Sequence, residues 1–145
     1  MSTQPSFDDG LDRLETLVQQ LESGSLSLED ALARFQTAIR DKPDFPAALN
    51  DLAWILATDS DPKLRSGAEA VRHARRACDL THNQQAALLM TLSAACAEAG
   101  RFPDAINAAQ TARDLAATAG QKNLAVQNEE LLRLYRAGRA FRESR

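Results

Sequence analysis

The sequence predicts an all-α fold: a right-handed superhelical array of three antiparallel helix hairpins, closed by a C-terminal capping helix. Three observations lead to it. Ala and Leu dominate, aromatic residues make up only 5%, and Gly and Pro fall between periodic segments, which is a helical composition. Apolar residues recur every three or four positions, the helical period. One pattern of small residues also repeats: Ala31-x3-Phe35-x2-Ala38, Ala70-x3-Ala74-x2-Ala77 and Ala105-x3-Ala109-x2-Ala112. Small side chains at that spacing let one helix lie close on another. Their return every 35 to 39 residues marks stacked units that bury their apolar faces against neighbours.

The elements follow in order. Phe7, Leu11, Leu14, Leu17, Val18 and Leu21 predict an amphipathic helix over about 6–23, broken by Ser23-Gly24-Ser25. Ser27, with Asp30 three residues on, is suited to begin a second helix that carries Leu28, Ala31, Leu32, Phe35, Ala38 and Ile39 and stops before Pro43. Together they make an N-terminal hairpin over 6–40. Pro46 suits the first turn of the third helix, whose stripe is Leu49, Leu52, Ala53 and Leu56 with Trp54 and Ile55 beside it. The polar segment TDSDPKLRSG (58–67) reads as an inserted loop before a helix over Ala68–Leu80. Closure entropy alone predicts that shortening Asp59–Arg65 would matter little. A further hairpin spans 85–118, turning at Gly100-Arg101-Phe102, and a capping helix covers 122–137, with Leu124, Val126, Leu131, Leu132, Leu134 and Tyr135 on its apolar side and Gly138 ending or bending it. At 145 residues these seven helices form a single helical-repeat domain.

Composition narrows the functional classes. The net charge of −3 points to neither nucleic acid nor membrane. Residues 1–41 carry eight acids and three bases, while 133–145 hold Arg133, Arg136, Arg139, Arg142 and Arg145 against Glu143. Solvated helix faces account for both stretches. No stretch nears the roughly 20 apolar residues of a bilayer span. The start, MSTQPSFDDG, lacks the basic and apolar regions of a signal peptide, so a cytoplasmic location is expected. Cys78 and Cys96 form no CxxC pair and read as small buried apolar residues. His73 and His82 have neither HExxH nor His–Cys spacing, and no phosphate loop or nucleophile elbow is present. The expectation is a non-enzymatic protein with no cofactor and no metal.

Two families are discernible. Leu89-x2-Leu92-Ser93-x2-Cys96-x3-Gly100-x-Phe102-x2-Ala105-x3-Ala109-x2-Ala112 resembles a tetratricopeptide repeat in type and spacing. The preceding unit resembles it through Leu49, Leu52, Ala53, Ala70, Ala74, Ala77 and Leu80, with extra residues in the 58–67 loop, and the resemblance begins at about Phe35. Residues 6–35, by contrast, are similar to the exonuclease VII small subunit, whose phrase LExLVxxLESGxLxLEDAL runs nearly unbroken from Leu14 to Leu32. That family continues into a longer lysine-rich helix, whereas tetratricopeptide-like sequence follows here. A natural gene that recruited a hairpin and an engineered fusion both account for the join.

The tetratricopeptide resemblance implies a concave groove for a peptide or partner helix, lined by Arg13, Gln20, Asn50, Trp54, Ala57, Met90, Ala94 and Glu98. Asn50 and Trp54 lie one turn apart on one face, so an amide would meet a peptide backbone beside a flat apolar wall. The function expected is a protein-interaction module working through that groove. The alternatives are a non-catalytic accessory subunit of a nuclease, docking through residues 7–39, and an engineered repeat scaffold with no natural ligand. A protein or peptide partner is expected in the first two cases, and direct nucleic-acid binding is disfavoured because aromatics for base stacking are few. Exchange of the N-terminal hairpin between identical chains is an open route to a homodimer.

Overall fold

The computed structural model describes Gln19 and residues 27–143. The first expected helix, with Phe7, Arg13, Leu14, Gln20 and Leu21, lies outside the described residues, apart from Gln19, which is helical and exposed. Among the described residues there are six longer helices and no strand: α1 (Leu28–Asp41), α2 (Pro46–Thr58), α3 (Gly67–Leu80), α4 (Ala86–Glu98), α5 (Phe102–Thr118) and α6 (Lys122–Arg136).

Local chemistry sets their ends. The Ser27 side chain accepts the Asp30 amide hydrogen at 3.2 Å and starts α1. Pro46 occupies the first turn of α2, where its missing N–H is no loss. Gly138 closes α6 with φ +71°, and the Arg139 amide returns to the Leu134 carbonyl at 2.9 Å. That left-handed turn is what glycine permits at little steric cost, and it sends the chain back across the helices.

Each helix packs on the next, and α2, α4 and α6 also pack on one another in series. The chain therefore has two layers, with α2, α4 and α6 in one and α3 and α5 in the other. α1 lies against α2. The small-residue pattern makes the close approaches: Ala31, Ala70, Ala74, Ala77, Ala105, Ala109 and Ala112 are all buried. Phe35 is fully buried in one apolar cluster with Leu49, Leu52 and Leu56, so α1 and the following helices share a core. Between α4 and α6, Ser93 is sealed and its hydroxyl lies 3.4 Å from that of Tyr135.

Two local expectations need correction. Val126 was expected on the apolar side of the last helix but is 56% exposed. The buried series is Asn128, Leu131, Leu132 and Tyr135, spaced i, i+3, i+4 and i+7, and Val126 is out of phase with it. The 58–67 segment is also not slack. Thr58 ends α2 and Gly67 begins α3, and between them the Ser66 amide donates to the Leu56 carbonyl at 2.8 Å. Arg65 Nη1 donates to the carbonyls of Asp59 (2.8 Å) and Ser60 (3.2 Å). A shortened turn would remove these bonds, a loss that closure entropy omits.

Candidate functional site

The expected groove residues fall into three groups. Arg13 and Gln20 lie outside the described residues. Ala57 and Ala94 are 0% and 2% exposed, so they form part of the packed floor and cannot touch a ligand. This corrects their expected place on the wall, because the layer formed by α2, α4 and α6 is closed where those alanines meet it. Asn50, Trp54, Met90 and Glu98 are half-buried.

Asn50 does not face an open groove beside Trp54 as expected. Its side chain hydrogen-bonds the neighbouring Asp51, and its Oδ1 is buried without a partner. Asp51 is half-buried, and desolvation raises its carboxyl to about 6, the Asn50 bond opposing the rise only in part.

Trp54 is where the surface of α2 meets the chain's own C-terminal segment. The Phe141 ring lies 5.7 Å from the Trp54 ring, tilted by 38°, in the range where aromatic pairs attract. Trp54 Nε1 donates to Glu143 Oε1 at 3.1 Å. The Glu143 amide donates to the Thr58 carbonyl at 2.7 Å, one of the acceptors that the end of α2 leaves open. Thr58 is itself held by its hydroxyl, which donates to the Trp54 carbonyl at 2.7 Å.

Glu98 ends α4 and joins the 59–66 loop to the C-terminal segment. Its carboxylate meets Arg65 Nε at 3.2 Å and Arg142 Nη1 at 2.6 Å, with the Glu98 side chain only 14% exposed. Two cations beside the carbonyl end of a helix also complement its dipole. Next to the tail is a cleft of about 610 Å³ lined by Trp54, Met90, Leu131, Leu134 and Phe141 among others. Sequence reasoning missed Phe141, Arg142 and Glu143. The sole signal for them was an aromatic residue and an acid standing out in an arginine-rich end.

On the other side, Arg72, His73, Arg75 and Arg76 line a depression of about 590 Å³ with Ile39 and Leu49. Arg76 pairs with Asp44 and Arg72 with Glu69, so two of these cations have carboxylates beside them. Burial, and next the Arg72 charge, lower the His73 pKa. Cys78 and Cys96 are buried thiols, the former pushed up to about 11 by burial, which is the opposite of an activated nucleophile. Among the described residues no three His, Cys, Asp or Glu side chains gather as metal ligands would, and no helix is long and apolar enough to cross a membrane.

Comparison with known proteins places a match at the N-terminal end. The family model described as exonuclease VII small subunit matches residues 7–42. The exodeoxyribonuclease 7 small subunit of Azoarcus sp. (strain BH72) is 58% identical over 38 residues, which is 26% of this chain and 45% of that protein. The chain thus spans less than half the length of that relative. The subunit of the same name from Levilactobacillus brevis is 39% identical over 64 residues, covering 42% of this chain and 79% of the relative. That from Streptococcus thermophilus is 41% identical over 51 residues, covering 35% and 72%. No solved structure matches the chain.

Proposed function

This chain belongs to the exonuclease VII small subunit family, and from that premise we propose that it is a non-catalytic accessory subunit, docking on the large subunit of such a nuclease through residues 7–42. The observation that carries the reading is the family match over those residues, together with a 64-residue alignment that covers 79% of the Levilactobacillus brevis relative. The second half of the segment is α1. Ala31, Leu32 and Phe35 turn inward, while Glu29, Asp30, Arg34, Gln36, Thr37 and Arg40 are exposed. A helix anchored on one face and polar on the other can dock without losing its place on α2. A cytoplasmic location belongs to the same reading.

The remainder, residues 46–136, we read as a tetratricopeptide-like right-handed array appended to that hairpin. The series of contacts linking α2, α4 and α6 supports a concave layer, with Trp54, Met90 and Glu98 as its peptide-facing residues. This second reading rests on the extended segment that already lies on Trp54.

The test is co-purification of the tagged chain with an exonuclease VII large subunit from co-expressing cells. The intact chain and Trp54→Ala should both retain the large subunit. Deletion of residues 1–42 should lose it, with unchanged Trp54 emission showing that α2, on which α1 packs, is still folded. Retention by the deletion variant, or no capture by the intact chain, would overturn the accessory-subunit reading.

A further inference from the structure

The segment that follows α6 lies across α2 and the end of α4. It leaves the helix at Gly138 and runs without regular structure to residue 143. Three kinds of contact place it: the Phe141 ring against Trp54, the Glu143 carboxylate and amide on Trp54 Nε1 and the Thr58 carbonyl, and Arg142 on Glu98. All of them join residues far apart in the chain, 89 positions in the case of Trp54 and Glu143. Arg139, Arg142 and Glu143 remain exposed, and Phe141 and Ala140 are only half-buried. The segment is therefore held by one ring contact and a few polar bonds whose strap side is open to solvent, with Thr58 and Glu98 largely buried beneath it. Segments held in this way open first.

From this geometry we infer that residues 139–143 form an internal strap occupying a recognition site built by Trp54, Thr58 and Glu98. The site fits an extended protein segment that presents an aromatic ring, a cation and a carboxylate in succession, as Phe141-Arg142-Glu143 does. The strap shields the Trp54 face, and an incoming segment of that chemistry gains the site by displacing it. The ring reads the aromatic residue, the indole N–H and the α2 carbonyl end read the carboxylate and the backbone, and Glu98 reads the cation. Because the strap is tethered, its effective concentration at the site is high, and a free segment must outcompete it. The inference does not rest on what residues 7–42 bind.

The probe is a fluorescently labelled synthetic peptide of residues 137–143, AGRAFRE, titrated against two full-length proteins and followed by anisotropy and by Trp54 emission. In the variant Phe141→Ala/Glu143→Gln the strap is released. Trp54 emission should then shift to the red in the free protein and return on saturable binding of the peptide. The unaltered chain should bind the peptide at least about tenfold more weakly, since its own strap competes. A peptide with Ala in place of its Phe should bind the released variant at least about tenfold more weakly as well. Should the Phe141 substitution unfold the protein, Arg142→Ala/Glu143→Ala alters only exposed positions and makes the same demand. Equal binding by released and unaltered chains, or no binding by a folded released variant, would overturn the inference. So would a dimer in light scattering that strap release dissociates, because the strap would then be exchanged between copies.

Discussion

Asp51 is a carboxylate that the fold holds at a disadvantage. Desolvation raises its pKa from 3.8 to about 6, so the native state takes up a proton more readily than the unfolded chain. The stabilising contribution is complete below about pH 4 and is lost as pH rises through about 6. Asp51→Asn should therefore stabilise the protein at pH 7 by on the order of 1–2 kcal/mol once partial solvent access is allowed for, read as a higher thermal midpoint. The gain should vanish at pH 4, and an equal gain at both pH values would refute the account. Trp54 makes a different prediction. It is half-buried and roofed by Phe141, so Trp54→Ala should cost about 1–3 kcal/mol, below the roughly 3–5 kcal/mol of a fully buried tryptophan. Denaturant unfolding would read the difference. Spacing in the sequence placed Asn50 and Trp54 one turn apart, but nothing local showed that Asn50 bonds Asp51 or that Trp54 is covered from residue 141.

At the scale of elements, close approach is the governing demand. A Cβ on Gly67 would lie 2.7 Å from the Ala99 amide nitrogen and 2.8 Å from its Cα, so the start of α3 meets backbone at the end of α4. Gly67→Ala must push the two helices apart and should destabilise by about 1–3 kcal/mol, as overpacking typically does. Ala105 is fully buried in α5, and Ala105→Leu should cost a similar amount for the same reason. Thermal unfolding of both variants checks this, and unchanged midpoints would show that the small residues are not contact points. The alanine pattern was legible because periodicity repeats within each helix. The Gly67 approach was not, because a glycine beside a polar loop also reads as loop chemistry. The bonds of Arg65 that brace the same loop were hidden likewise, since their partners depend on how the loop folds.

Among the described residues the helices pack on near neighbours in the series, and the segment at 139–143 reaches back to α2. α4 packs against α2, α3, α5 and α6, more partners than any other helix among the described residues. In such a chain the most connected element opens last. Hydrogen exchange should accordingly find the slowest amides in α4, and fast exchange there relative to α6 would contradict the contact scheme. The strap at 139–143 should exchange near the unprotected rate except at the Arg139 and Glu143 amides, which are bonded to the Leu134 and Thr58 carbonyls.

What the sequence determined by itself were the features that act within a few residues. The helices begin and end at Ser27, Pro46 and Gly138, the alanines fall on inward faces, and the Leu14–Leu32 phrase carries the family membership. Each depends on caps, helical period or side-chain size, and these operate over one or two turns. Only the tertiary structure decided what occupies Trp54, what Glu98 binds and where Asp51 loses its water. Those outcomes depend on groups brought together by the path of the chain after Gly138 and by the packing of α2 on α3 and α4. Electrostatics and ring contacts act over a few ångströms in space, and separation along the chain does not weaken them.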